Sequence, residues 1–192
     1  MKTGFYRINR ILLAYSNLFC FQIKKFLFGF DVANVFIQRV DKKSLQLILK
    51  KNGASIGQSC DLESGLIFHN CTNYNNLSIG NNCHVGKNCF FDLREKILIY
   101  DNVCISMQVT FITHIDVGKS PIKEYFQSAS KSITVENGAY IGANSKILMG
   151  VILGADCFVA AGSLVNRSVK AYSLVAGIPA KQIREYKSQI AE

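Results

Sequence analysis

The 192-residue sequence predicts an all-β solenoid of short strands behind a basic helical segment, and three observations carry that reading. An aliphatic residue followed by a small or polar one recurs at a spacing of six, a self-similarity to be tested before any single strand is assigned. Four residues after most of the aliphatic positions stands a second column of small or β-branched residues. Fourteen glycines against two prolines, with only 18% charged residues, suit a turn-rich β architecture and exclude collagen, a coiled coil or a charge-blocked tail.

The helical segment comes first. Lys2, Arg7, Arg10, Lys24 and Lys25 all precede the first acid, Asp31, so residues 1–31 carry +4 of the chain's net +9. Between them Ile11 to Ile23 is apolar but interrupted by Ser16, Asn17 and Gln22, and it is shorter than the roughly 20 residues a spanning helix needs. Phe19-Cys20-Phe21 offers no small-residue cleavage site, against a signal peptide. Large residues on one face with basic flanks predict an amphipathic helix that lies in a membrane interface or packs on the protein's own core. Residues 32–52 contain Leu45-Gln46-Leu47-Ile48-Leu49, then the turn signal Lys50-Lys51-Asn52-Gly53, and read as a connector.

The repeat follows. Ile56-Gly57, Ile79-Gly80, Val85-Gly86 and Phe91-Asp92 open it, and after an irregular step it resumes at Ile99, Ile105 and Phe111. It then runs unbroken through Val135, Ile141, Ile147, Leu153, Val159 and Val165. The second column holds Cys60, Cys83, Cys89, Val103, Val109, Ala139, Ser145, Val151, Cys157, Ser163 and Val169. Neither period two nor period 3.6 generates both columns. Short flat strands, each ending in a turn, would set one aliphatic residue per side inside a prism. Four of the seven cysteines thereby become small core residues. With no CxxC and no paired Cys/His spacing, neither a zinc module nor a secreted disulfide framework is expected. The repeat stops between Ile115 and Ile133, and a long loop inside a solenoid points to function.

From about residue 54 to 170 this pattern resembles the hexapeptide-repeat acyltransferases, whose chains coil into a left-handed parallel β-helix with three hexapeptides per turn. Three matches extend the resemblance to the maltose, galactoside and nodulation-factor O-acetyltransferases and their polysaccharide-decorating relatives. Val109-Thr110-Phe111-Ile112-Thr113-His114 ends at the place of the family's catalytic base, and the loop after it would fold over a neighbouring subunit's groove. Gly138-Ala139-Tyr140-Ile141-Gly142-Ala143 has Tyr140 where an aromatic lines the acyl-donor site. Ala176-Gly177-Ile178-Pro179-Ala180-Lys181-Gln182-Ile183-Arg184 matches the tail that closes these helices.

The resemblance implies acetyl-CoA as co-substrate and no metal. The coenzyme arm would pass Ala143 and Ala161, with Asn166 and Arg167 near the adenylate end, and Arg167, Lys181 and Arg184 neutralising phosphates. It also implies a homotrimer with a site at each subunit interface. The expected organisation is a helical segment and connector over residues 1–52, a catalytic β-helix over 53–178 with the loop 115–133, and a tail with a short helix over 179–192.

Acyl transfer from a thioester to a hydroxyl needs a base, because an alcohol is a poor nucleophile until its proton leaves. His114 is the candidate. Relatives carry an asparagine about thirty residues before the histidine; gapless alignment there gives Gly86, with Asn88 two residues on, so Asn88 is a weak acceptor-site candidate. Asp92, in an irregular step, either contacts a sugar or orients the base, and His84 and His69 either line the acceptor groove or sit on a solvated surface.

The function expected is acetyl-CoA-dependent O-acetylation of a saccharide in cell-envelope, capsular or lipopolysaccharide biosynthesis. The place expected is the cytoplasm, with the N-terminal helix available to hold a lipid-linked acceptor's enzyme at the inner face of the membrane. Other readings are an amine acceptor, a non-catalytic trimeric scaffold, and the zinc enzyme of the same fold, for which no histidine follows His114 as a second ligand. Basic residues concentrate at the two ends without an aromatic-plus-basic recognition motif, against nucleic acid as a partner.

Overall fold

The computed structural model describes residues 2–186, and the repeat folds as a left-handed parallel β-helix. Each coil lays one short strand in each of three sheets. Sheet A stacks Ser55–Ile56, Leu77–Ile79, Ile97–Ile99, Ile133–Val135 and Ile152–Leu153. Sheet B begins with Asp61–Leu62 and His84–Val85 and continues through Cys104–Ile105, Tyr140–Ile141 and Phe158–Val159. Sheet C stacks Ile67–His69, Phe90–Asp92, Thr110–Ile112, Lys146–Leu148 and Leu164–Val165.

Every aliphatic position of the period-six column is buried, because consecutive coils place these residues one above another in the prism. The first coil is complete too: Leu62 and Phe68 continue the spacing from Ile56 and are buried with it. In sheet C the column is aromatic for three coils. Phe68 stacks on Phe91 at 5.5 Å, and Phe91 on Phe111 at 5.1 Å, with rings 20° and 14° from parallel. Of the four cysteines in the second column, Cys83, Cys89 and Cys157 are buried and Cys60 is half-buried, all with free thiols.

Two of the three prism edges turn alike in coil after coil. The third, where sheet C hands over to sheet A, releases the chain after Phe68, Phe91 and Phe111 into excursions of different length. The last of these carries the antiparallel pair His114–Ile115 and Ala129–Ser130 and the exposed tip residues Ile122, Tyr125 and Phe126.

Residues 2–52 are helical rather than helix plus connector. Helix α1 spans Lys2–Phe28, α2 Phe30–Phe36, and α3 Lys42–Lys51, with a short 3₁₀ turn at Ile37–Arg39. Asp41 caps α3 by accepting from the Lys43 and Ser44 amides, which its carboxylate satisfies. Leu45, Ile48 and Leu49 of α3 are fully buried against the open end of the solenoid, and Gln46 Nε2 donates to the Cys60 carbonyl at 2.9 Å. The apolar segment is longer than the sequence reading allows: α1 is continuous, and Ile8–Phe28 has the length and composition to cross a membrane. One side is nonetheless committed to protein, with Ala14 and Phe21 buried and Asn17 Nδ2 donating to Ser44 Oγ at 3.0 Å.

The chain end also differs from expectation. Instead of a short helix after residue 179, Ala180–Glu185 is a strand that hairpins onto Ser173–Gly177 and finishes sheet B. An exposed sheet edge leaves backbone groups unpaired, and the tail satisfies them. The rest of the expected helix, residues 187–192, lies outside the described residues.

Candidate active site

The irregular edge gathers three polar side chains from three successive coils. Asn70 follows the strand Ile67–His69, Asp92 ends Phe90–Asp92, and His114 follows Thr110–Ile112. Parallel register sets His69 beside Asp92, so the residues that follow each phenylalanine of the stack meet above it.

Asp92 is the centre of the cluster and is buried. Its Oδ2 lies 2.5 Å from His114 Nδ1 and accepts from the Thr113 amide at 2.8 Å and the Thr113 hydroxyl at 2.9 Å. Its Oδ1 accepts from Asn70 Nδ2 at 2.8 Å. Burial pushes the carboxyl pKa up, but the hydrogen bonds from His114, Asn70 and Thr113 outweigh it and bring the pKa down to about 2. A carboxylate held ionised accepts from Nδ1–H, which fixes the tautomer and leaves Nε2 of His114 with a free lone pair. Asn70 Nδ2 also stands 3.5 Å from His114 Nδ1, but with Nδ1–H given to Asp92 it acts on the ring through the carboxylate it shares rather than by a hydrogen bond of its own.

Beside this cluster opens a cleft of about 660 Å³. One wall is residues 67–72 of the first coil; the other is Asp31, Asn34, Val35 and Gln38 of α2 and the turn after it. Asn34 ties the walls together, its Nδ2 donating to the Phe68 carbonyl at 2.7 Å and its Oδ1 accepting from Tyr74 at 3.0 Å. The N-terminal unit thus forms one wall of the cleft.

The other sequence candidates fall elsewhere. Asn88 turns the chain at the edge between sheets B and C, with φ 57° and its Oδ1 packed over Gly65. His84 lies in sheet B, where Nδ1 is 3.2 Å from Asp61 Oδ2. Neither is brought to Asp92. Sequence reasoning missed Asn70, along with Asp31, Asn34 and Gln38; Asn70 directly follows His69, but only coil register reveals its neighbours.

The expected coenzyme residues form a second group. Tyr140 stacks on Phe158 of the next coil at 4.6 Å. Ala143 and Ala161 occupy matching turns one coil apart, joined by Gly162 N–H to the Ala143 carbonyl at 2.8 Å. Lys181 and Arg184 are exposed on the final strand of sheet B. Asn166 and Arg167 are exposed beyond the last strand of sheet C, on the edge that carries His114 two strands below. None of Arg167, Lys181 and Arg184 is paired with a carboxylate among the described residues. In one chain, therefore, Tyr140, Ala143 and Ala161 lie on a different part of the prism from His114. Among the described residues no group of three His, Cys, Asp or Glu is set to hold a metal ion.

Coil and site together define a parallel β-helix protein with a His–Asp pair on its one irregular edge, and known proteins share this frame. A family model described as a hexapeptide repeat of succinyl-transferase matches residues 76–107 and 132–167. A hexapeptide-repeat-containing acetyltransferase of Vibrio cholerae superposes with a TM-score of 0.71 at 26% identity, covering 81% of this chain and 87% of that one. A galactoside acetyltransferase in complex with coenzyme A superposes at 0.65 and 26% identity, covering 74% and 70%. Over 53 residues the chain is 45% identical to a 2,3,4,5-tetrahydropyridine-2,6-dicarboxylate N-acetyltransferase of Enterococcus faecalis, a stretch equal to 28% of this chain and 23% of that protein. The chain thus spans about a quarter of the length of the curated relatives it matches. Its repeat is thus similar to that of the hexapeptide-repeat acetyltransferases over residues 76–107 and 132–167.

Proposed function

We propose that this protein is an acetyl-CoA-dependent acetyltransferase that acylates a hydroxyl of a saccharide, with His114 as general base. The observation that carries the reading is the Asp92–His114 pair at 2.5 Å beside an open cleft. An Nε2 lone pair held by a buried carboxylate can take the acceptor's proton as its oxygen attacks the thioester carbonyl carbon; when the C–S bond breaks, the same proton passes to the leaving thiolate. The acceptor gains an acetyl group and the free thiol is released, so no acyl-enzyme is needed. The coenzyme A complex of the galactoside acetyltransferase supports the donor. The Asp92–His114 pair supports the acceptor class, since a hydroxyl has far more need of a base than a neutral amine.

The donor residues fit the group: small residues at Ala143 and Ala161, an aromatic pair at Tyr140 and Phe158, and cations at Arg167, Lys181 and Arg184 that meet no carboxylate among the described residues. Their separation from His114 within one chain supports a homotrimer in which one subunit's His114 faces its neighbour's coils. The exposed loop tip Tyr125-Phe126 is suited to cover that junction.

A second reading, transfer to an amine, is favoured by the N-acetyltransferase name of the Enterococcus faecalis relative. Thiol release from acetyl-CoA is to be measured against neutral sugars, amino sugars and envelope glycans, in parent and His114→Ala. The expected result is turnover with hydroxyl acceptors that falls roughly 10²–10⁴-fold in the variant. Turnover with amines alone would establish the second reading, and an unaffected variant would remove His114 from the chemistry.

A further inference from the structure

The protein's charge and its exposed apolar surface are both concentrated in the N-terminal helical unit. Residues 1–52 hold ten Lys and Arg against Asp31 and Asp41, a net +8 of the chain's +9, whereas the β-helix is close to neutral. On α1, Ile8, Leu12, Tyr15, Phe19, Ile23 and Phe26 recur at helical spacing, and each is at least 40% exposed. Charged positions avoid this stripe. Arg10, Lys24 and Lys25 fall on the half of the helix that carries Ala14 and Phe21; Lys25 Nζ donates to Asn52 Oδ1 at 3.3 Å and Lys24 Nζ lies over the Phe36 ring at 5.6 Å.

We infer that the outer face of α1 docks in the plane of an anionic membrane. The helix is long and apolar enough to span, and little of Ile8–Phe28 is buried, yet its inner face is fastened to α3 through Phe21, Asn17–Ser44 and Lys25–Asn52. A spanning helix would have to tear these contacts and carry Lys24 and Lys25 into hydrocarbon. Lying flat, it buries only the uncharged stripe, while the +8 unit is drawn to acidic headgroups. A second copy of the chain suits this unit less well, because two such faces would bring like charges together.

Docking also orients the site. The chain turns at Gly29 from α1 into α2, where Val32 and Val35 are exposed; Val35, Asp31, Asn34 and Gln38 wall the cleft that reaches Asn70, whose amide is hydrogen-bonded to Asp92. The cleft then opens beside the headgroup layer, which selects an acceptor glycan carried on a lipid. This last step rests on the acetyltransferase reading; the docking does not.

The test is co-sedimentation of the full chain with vesicles of about three parts phosphatidylcholine to one part phosphatidylglycerol. Binding is expected, weakening roughly tenfold or more in Leu12→Glu/Phe19→Glu and in phosphatidylcholine alone. His114→Ala should bind as the parent does, so a failure of the enzyme reading leaves this result standing. The chain has no tryptophan, so Leu12→Trp supplies a single reporter: quenching by brominated lipid is expected there and not from Phe126→Trp in the loop. Absence of parent binding, equal binding by the double glutamate variant with no quenching at position 12, or loss of an oligomer in that variant without vesicle binding would each overturn the proposal.

Discussion

Two edges of the same prism show how a solenoid divides structure from chemistry. Where sheet A turns into sheet B, every coil uses one residue in the left-handed region: Ser59, Asn82, Asn102, Gly138, Asp156 and Tyr172, with φ between 53° and 70°. Asparagine, aspartate and glycine tolerate that conformation best, and stacked side chains add ladders such as Asn82 Nδ2 to Asn102 Oδ1 at 2.8 Å. Such an edge has little freedom, since each residue answers to the turn and to the coil above and below. The edge between sheets C and A keeps no such column. There the chain leaves the coil after each phenylalanine of the stack, and the freed positions carry Asn70, Asp92 and His114. The candidate site sits where the repeat is broken, on a support where it is not.

The sharpest way to break this contrast is to remove the support. Phe91→Ala deletes the middle ring of the stack, which touches Phe68 and Phe111 and is wholly buried. Stability should fall by about 3–5 kcal/mol in denaturant unfolding. Smaller in free energy is Asp92→Asn, which keeps the shape of the site. The Thr113 amide and His114 Nδ1 share the Oδ2 position, so a carboxamide oxygen there accepts from both without the negative charge that supports the imidazolium, whereas a carboxamide nitrogen there presents N–H to His114, favours the proton on Nε2 and leaves the Thr113 amide unpaired. Turnover should fall roughly 100-fold while affinity for acetyl-CoA, measured by calorimetry, stays at the parent's value. Unchanged turnover would mean that Asp92 only braces the edge.

The same contrast explains what was legible in the sequence. The long unbroken run from Val135 to Val165 announces the coil because nothing interrupts its phase. Leu62 and Phe68 have the right spacing from Ile56, yet the excursion from residue 70 to 76 shifts the phase and hides them, and with them Asn70. Asp92 and His114 were visible as residues, and their pairing required the coil register. Asn88, chosen by linear distance from His114, belongs instead to the turn column Gly65, Asn88, Gln108, Asn144 and Gly162. The helices at residues 30–51 and the strand at 180–185 were not readable, because each owes its form to a tertiary partner: the solenoid's open end for one, the last strand's free edge for the other.

A weaker effect separates the edges by pH. Asp92 is held at about 2 against an ordinary 3.8, so as pH falls the unfolded chain takes up the proton first. The stabilisation is complete above pH 4 and disappears as pH drops toward 2, a loss of about 2 kcal/mol. Urea unfolding across that range should show the loss in the parent and not in Asp92→Asn. Equal slopes in the two proteins would assign the acid sensitivity to other carboxylates.

The smallest effect is expected at the regular edge. Asn88→Gly replaces an exposed residue at φ 57° with the one most at ease there. Relief of the left-handed backbone and the added freedom of the unfolded chain oppose each other, so stability should stay within about 0.5 kcal/mol. Turnover should not change, because Asn88 faces Gly65 and not the Asp92–His114 pair. Asn70 has a similar φ of 53°, so Asn70→Gly imposes the same backbone change while removing the hydrogen bond to Asp92. If the two glycine variants lose activity equally, turn geometry governs both edges and the division drawn here fails. If only the Asn70 variant loses it, the asparagines differ by what their side chains reach.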